Sequence, residues 1–415
     1  MHVGGTNMKR VVITGMGCVT PVGNDVDSFW TSIINGKHGF GEITKFDASD
    51  MKVKIAAEVK DFQPENYIVK NEIKRTDLYS QYAIAAATQA MDESGIFGKV
   101  APERLGVYVS SGIGGMNTFE TEAEKNFTRG PSRISPLFIP MMIANIAAAL
   151  VAIMYNAQGP CLPVVTACAT GTHSIGEAFR SIKHGYADAI IAGGAEASIT
   201  RLAIGGFTNM MALSTRTDPD NCSTPFDKRR DGFVMGEGAG VVVLEEYEHA
   251  VARGANILAE IVGYGNTCDA YHITAPHPEA RGSAKMIQLA LEEAGIVASE
   301  TLYINPHGTS TPMNDKIETQ AIKVALGDIA YKVPVSSTKS MTGHMLGAAG
   351  GVEAIVAIKA LQNNLVPPTI GYQETDPDCD LDYVPNKARA VKLESSMSLS
   401  LGFGGHNAGI VFKKV

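Results

Sequence analysis

Hydrophobic positions along this chain fall into two kinds of run that take turns. Short β-branched runs of strand length occur at 10–14, 105–109, 187–192, 240–244, 257–264, 302–305, 333–336, 396–401 and 409–413. Stretches that read as helices lie between them, at 25–35, 74–94, 282–294, 314–326 and 343–362. Alternation of this kind predicts an α/β fold. The runs at 187–192 and 240–244 have the apolar character of strands covered on both faces. Asn24 reads as the N-cap of the first helix and Gly95 as the stop of the second. Gly15, Met16 and Gly17 read as a turn after the first strand.

One further stretch, 136–155, is the most apolar of all, but Pro140 and Asn145 interrupt it. A membrane span needs about 20 strongly apolar residues, so a buried helix is expected. A helix apolar on most sides should be covered all round, and a second subunit would supply that cover.

The run at 163–167 predicts a strand that ends in a small-residue turn carrying Cys168, with a helix following to about residue 183. The N–H groups and partial positive charge of a helix N-terminus stabilise a thiolate and an oxyanion beside it. A buried structural cysteine would show the same local pattern. The stretch 334–349 echoes 163–178: Pro-Val, a small polar turn, then a helix of small residues. The echo suggests two related halves, 8–255 and 256–415, stacked so that both turns meet at one junction.

Composition narrows the function. The chain has 415 residues, 45% hydrophobic and 19% charged, with a formal net charge of −8. That balance is ordinary for a globular protein and lacks the basic excess of a nucleic-acid binder. Six scattered cysteines form no C-x-x-C pair, which suits a reducing, cytoplasmic setting rather than a disulfide framework or zinc site. Residues 1–7 have no apolar signal-peptide core and read as an extension ahead of Met8. The glycine clusters at 111–115 and 402–405 match neither the dinucleotide fingerprint nor the P-loop, so no nucleotide cofactor is expected.

Candidate chemistry gathers in a few polar turns. His307 follows a predicted strand, and Lys339 and His344 share a turn rich in Ser, Thr and Gly. With Cys168 they bring a nucleophile, two imidazoles and a cation. The motifs Val11-Val-Ile-Thr-Gly-Met-Gly, Thr166-Ala-Cys-Ala-Thr-Gly, Pro225-Phe-Asp, Gly232-Phe-Val-Met-Gly-Glu-Gly-Ala-Gly, His307-Gly-Thr-Ser-Thr, Lys339-Ser-Met-Thr-Gly-His and Gly402-Phe-Gly-Gly-His-Asn together form a specific signature. On these the chain, from residue 9 to 415, resembles the elongating β-ketoacyl-[acyl-carrier-protein] synthases of the thiolase superfamily, with type II favoured over type I.

That resemblance implies a thiolase-like fold, two related halves forming a five-layered αβαβα sandwich, in a homodimer. It implies acyl transfer to Cys168 followed by decarboxylative Claisen condensation with a malonyl thioester. Substrates would arrive on the phosphopantetheine of acyl carrier protein, with no cofactor and no membrane insertion. His307 and His344 would stabilise the enolate, and the backbone N–H groups of Cys168 and Phe403 would form the oxyanion hole. Lys339 would act electrostatically, partnered by Glu318 or Glu353. Phe403 maps onto a gating residue, Phe207 and Ile113 onto the acyl tunnel, and Thr309 and Thr311 onto threonines that bond the pantetheine arm. Lys70, Lys74 and Arg75 are the candidates for docking an acidic carrier. The Cys-His-His set implies an elongating rather than an initiating enzyme.

The chain departs from the family pattern at two places, Pro306 and Leu399. In relatives an asparagine at the latter position helps hold a structural alkali cation. Leu399 cannot do so through its side chain, which leaves Asn305 and Glu353 as its protein ligands and puts that site in doubt. A ketosynthase of a polyketide or specialised acyl pathway, and a non-catalytic carrier-binding homologue, are the alternative readings.

Overall fold

The first strand, β1 (Val11–Val19), runs straight through the three residues expected to form a turn. Gly15 and Gly17 serve packing instead. A Cβ at either position would lie 2.0 or 2.1 Å from the carbonyl oxygens of Ala90 and Ala86, so only glycine lets the helix carrying those alanines rest on the strand. This computed structural model describes residues 8–415, and the reading of residues 1–7 as an extension lies outside the described residues.

The same sheet contains β2 (Leu105–Ser110), β3 (Ala189–Glu196), β4 (Gly238–Glu246), β5 (Ala259–Cys268), β6 (Leu302–Asn305), β7 (Ser395–Gly402) and β8 (His406–Lys413). Their spatial order is β2-β3-β4-β1-β5-β8-β7-β6. The outer pairs β2–β3 and β6–β7 are parallel, and every inner pair is antiparallel. The first four strands and the last four therefore share one plan, read inward from opposite edges. Only three residue pairs, from Val11–Ile261 to Ile13–Ala259, join β1 to β5.

The main helices are α1 (Val26–Ile34), α2 (Leu78–Ser94), α3 (Ile146–Tyr155), α4 (Thr170–Lys183), α5 (Arg281–Ala294), α6 (Pro312–Leu326) and α7 (Ala349–Asn363). Side chains alternate faces along a strand, and this sorts the helices into layers. Ile191, Ala195, Val241 and Val243 face a core shared with α2 and α3. Ile190, Ala192, Val242 and Leu244 face α4 and α7, as do Ala408, Ile410 and Phe412 from the other set of strands. Met397, Leu399 and Val411 face an outer core with α5 and α6. The result is the expected αβαβα sandwich, with α4 and α7 as its central layer. Ile175, Phe179 and Ile182 of α4 are buried there, each contributing roughly 1.5–3 kcal/mol.

Several local expectations change. Asp25, not Asn24, caps α1, its carboxylate accepting from the Ser28 N–H at 2.8 Å. A separate short helix, Lys70–Ile73, precedes α2, which begins after its own cap Asp77. No strand forms at 163–166, where Val165 is exposed. The run 136–155 splits into Phe138–Met142 and α3. Ala147, Ala148 and Val151 are buried, whereas Ile139, Ile153 and Met154 are exposed. Among the described residues no helix is long and apolar enough to cross a membrane. The strand expected at 333–336 reduces to a bridge between Val335 and Ile304, and the helix expected from 343 starts at Ala349.

The echo between 163–178 and 334–349 is real in kind but shifted in register. Both central helices follow a 3-10 turn whose first residue is left-handed, Ala167 at φ 51° and Leu346 at φ 48°. Ala167 thus matches Leu346, and Cys168 does not match Lys339. The short helix Lys339–Thr342 and the His344 turn are extra in the second copy.

Candidate active site

Cys168 lies in the turn Ala167–Ala169 that leads into α4. The left-handed Ala167 is a strained conformation of the kind that costs about 1–3 kcal/mol. The thiol lines a cavity of about 320 Å³ together with His307, His344, Phe207, Phe233 and Phe403. Burial pushes the thiol up to about 12, opposed by Lys339 and by the backbone N–H groups of Phe403 and Cys168 itself. The helix N-terminus therefore does not produce a resting thiolate, because desolvation outweighs it. The two N–H groups nevertheless favour the thiolate over the thiol.

His307 follows β6, and His344 follows the short helix Lys339–Thr342. Their rings stand nearly perpendicular, 5.1 Å between centroids, with the edge of Phe233 against His344 at 5.1 Å. Both are held well below the ordinary imidazole range by burial and then by the positive charge of Lys339. Both rings are therefore neutral near pH 7. The Nδ1 atom of each is buried without a partner.

Two buried carboxylates support these groups differently. Glu318 accepts from the backbone N–H of His307 at 2.6 Å and of Gly308 at 2.7 Å, fixing the turn that carries the ring. Burial pushes Glu318 up to about 8. Glu353 forms the ion pair with Lys339, and burial pushes it up to about 7 against the pull of that lysine. The alternative left open by the sequence is thereby decided: Lys339 pairs with Glu353.

Thr309 and Thr311 line the same cavity, their hydroxyls 3.0 Å apart. The Phe207 and Phe403 rings pack beside one another in its wall, 6.4 Å between centroids. Ile113 is 42% exposed and outside the lining. Lys70 and Lys74 are exposed, far from the chemistry in character, and Arg75 lies 3.2 Å from Glu72.

Sequence reasoning passed over two contributors. Phe233 lies inside a quoted motif, but its packing on His344 needs the fold to be seen. Asp269 accepts from the His277 N–H at 3.0 Å and from Asn407 Nδ2 at 2.8 Å, and its own N–H donates to Gly405 O at 2.8 Å. It ties the glycine turn bearing Phe403 to the segment 269–277. No local sequence signal marks that role.

Asn305 Oδ1, Glu353 Oε2 and Ser398 Oγ are buried without partners. Ser398 lies opposite Asn305 in the β7–β6 register, and Leu399 points into the outer core instead. Three orphaned oxygens toward the central layer fit the oxygen donors that an alkali cation takes, with Ser398 in the place that Leu399 was expected to leave empty.

Comparisons with known proteins agree with this geometry. The family described as Beta-ketoacyl synthase, N-terminal domain, matches residues 8–250, and its C-terminal domain matches residues 258–373. The chain is 50% identical over 408 residues to 3-oxoacyl-[acyl-carrier-protein] synthase 2 of Synechocystis sp., covering 98% of both chains. It is 51% identical over 407 residues to the protein of the same name from Staphylococcus aureus, again covering 98% of both. A solved complex of a type II polyketide acyl-carrier protein with its ketosynthase superposes with a TM-score of 0.89 at 35% identity, covering 98% of this chain and 100% of that one.

Proposed function

The chain belongs to the β-ketoacyl synthase family and is an acyltransferase of the 3-oxoacyl-[acyl-carrier-protein] synthase 2 type, and from that premise we propose how its residues carry the condensation. Cys168 Sγ attacks the carbonyl of an acyl thioester borne by acyl carrier protein. The new Cys168–acyl bond forms as the carrier's C–S bond breaks, and the thiol proton passes to the departing pantetheine sulfur. The N–H groups of Cys168 and Phe403 receive the oxyanion, each such donor being worth roughly 10²–10³ in rate. Malonyl thioester then loses carbon dioxide, and the enolate oxygen accepts hydrogen bonds from His307 and His344. The carbanion attacks the acyl-cysteine, and Cys168 leaves as a thiolate as the new carbon–carbon bond forms, then takes up a proton from water to restore the thiol.

The observation that carries this reading is the pair of buried, neutral imidazoles sharing one cavity with the thiol. With Nδ1 of each buried and unpartnered, the proton belongs on Nε2, where it can be donated. Burial, and then the charge of Lys339, hold both rings neutral, and Lys339 is itself balanced by Glu353. An alkali cation would be held by Asn305, Glu353 and Ser398 and would supply fixed positive charge behind that pair.

Thr309 and Thr311 hydrogen-bond the pantetheine arm, Phe403 gates the cavity, and Phe207 lines the acyl tunnel. Lys70, Lys74 and Arg75 dock the acidic carrier. The exposed residues Leu162, Val165, Ile139, Ile153 and Met154 support a homodimer covering that face, and Ile113 would meet the acyl chain only once it is covered. Fatty-acid elongation in the cytoplasm is favoured over a polyketide pathway by the 50% and 51% identities against 35%. A silent scaffold has no use for the complete Cys-His-His set.

Incubation with acyl-carrier-protein thioester should add one acyl group to the intact mass, located at Cys168 and absent in Cys168→Ala. An unmodified wild-type protein would remove the enzymatic reading.

A further inference from the structure

Glu196, at the end of β3, is fully buried, and the condensation described above does not use it. Its carboxylate is the meeting point of three chain segments. Oε1 accepts from the hydroxyls of Ser111 and Ser198, both at 2.9 Å. Oε2 accepts from the backbone N–H of Gly112 at 3.0 Å and of Gly347 at 3.1 Å. Four donors fill the four acceptor positions of an ionised carboxylate.

The segments so joined, 111–112, Ser198 and Gly347, lie behind the cavity wall and pack against the residues that line it. Ser111 spends its proton on Glu196, and its oxygen accepts from the Gly114 N–H at 2.8 Å and the Ile113 N–H at 3.3 Å. Gly347 follows the left-handed Leu346 just after His344. The three segments touch directly: a Cβ on Gly347 would lie 2.3 Å from Gly112 N, and one on Gly112 would lie 3.0 Å from Ala167 O. We propose that Glu196 is a charged positioning residue of the condensing site, locking the 111–114 loop to the segment after His344 as one unit against which the nucleophile turn packs, and setting a negative field at the Cys168 thiol.

Charge and geometry both enter. Glu196 raises the proton affinity of Cys168 and Lys339 lowers it, while His307 and His344, which share the cavity, are neutral. Burial pushes Glu196 itself up to about 7, so it is ionised wherever the thiol titrates. Glutamine cannot replace it silently. An amide offers one acceptor atom and one donor group, and the donor would face Ser111 Oγ, which already accepts twice.

The test reads the rate of Cys168 alkylation by iodoacetamide at pH 8 in the full chain, together with the rate of acyl transfer. The role in acyl transfer rests on the function proposed above, but thiol alkylation is readable whatever acyl donor the enzyme uses. At pH 8, where the thiolate fraction limits the reaction, Glu196→Gln should raise the rate of Cys168 alkylation about tenfold and slow acyl transfer about tenfold or more. A folded Glu196→Gln protein alkylated at the wild-type rate overturns the proposal, because a merely structural carboxylate would leave that rate in place. If Glu196→Gln does not fold, Ser111→Ala decides. It keeps the charge but frees the loop, so a tenfold loss of acyl transfer at unchanged melting temperature supports the proposal, and wild-type transfer overturns it.

Discussion

The rings of His307 and His344 meet edge to face, with an angle of 88° between their planes. Perpendicular rings can each direct one nitrogen at a common point without stacking on one another. That point, in the cavity shared with Cys168, is where an enolate oxygen would need two donors. His307→Ala and His344→Ala should each slow decarboxylation of malonyl thioester by roughly 10²–10³ while still acylating Cys168. Carbon dioxide release and intact mass measure the two steps separately, and normal decarboxylation in either variant would remove the assigned role.

The same burial has a stability consequence with a definite sign. His344 is held below its ordinary value in the folded state, so as pH falls through about 6.5 the unfolded chain takes up a proton that the folded chain refuses. Stability is then lost on acidification. His344→Gln lacks that proton site and should gain on the wild type by about 1 kcal/mol between pH 6.5 and 5.5. Denaturant unfolding at the two pH values checks this, and a pH-independent difference would contradict it.

What could be read from residues alone follows the range of the interactions involved. Strand and helix alternation is local, so the α/β class and most of the elements were visible in the hydrophobic pattern. Gly15 and Gly17 misled because a glycine that admits a neighbouring helix looks, in sequence, like a glycine that turns the chain. The register of the internal echo is shifted because Lys339–Thr342 forms an extra turn that the shared Pro-Val dipeptides do not reveal. Cys168, His307, Lys339 and His344 were legible because they sit in distinctive polar motifs. Glu196, Phe233 and Asp269 were not, because each acts through partners distant in the chain.

Lys339 and Glu353 form a buried ion pair, and removing one partner strands the other. Lys339→Met should destabilise the fold by about 3–5 kcal/mol at pH 8. The loss should shrink toward pH 5.5. Glu353 already has a raised folded pKa, and without its cation it rises further, so the folded state holds the proton that the unfolded state releases. Adding Glu353→Gln should recover much of the loss. Equilibrium unfolding of the single and double variants at both pH values tests the pair, and a loss independent of pH would argue against it.

Lys70 and Lys74 flank the short exposed helix before α2. If they dock an acidic carrier, Lys70→Glu combined with Lys74→Glu should raise KM for the carrier-borne thioester about tenfold at low salt, with the difference fading as salt rises. Turnover of a small acyl thioester without the carrier protein should stay unchanged. Equal loss with both substrates would place the effect in folding rather than docking.

Phe403 separates a backbone role from a side-chain role. Its N–H favours the Cys168 thiolate, while its ring lines the cavity beside Phe207. Phe403→Ala keeps the N–H and empties the gate, so acyl transfer should persist while discrimination among acyl chain lengths weakens. Phe403→Pro removes the donor altogether and should lower the acyl-transfer rate by roughly 10²–10³ at a similar melting temperature. Acylation rates for a series of chain lengths, measured beside thermal unfolding, distinguish the two effects. A proline variant that acylates at the wild-type rate would take Phe403 out of the oxyanion hole and leave it only as part of the wall.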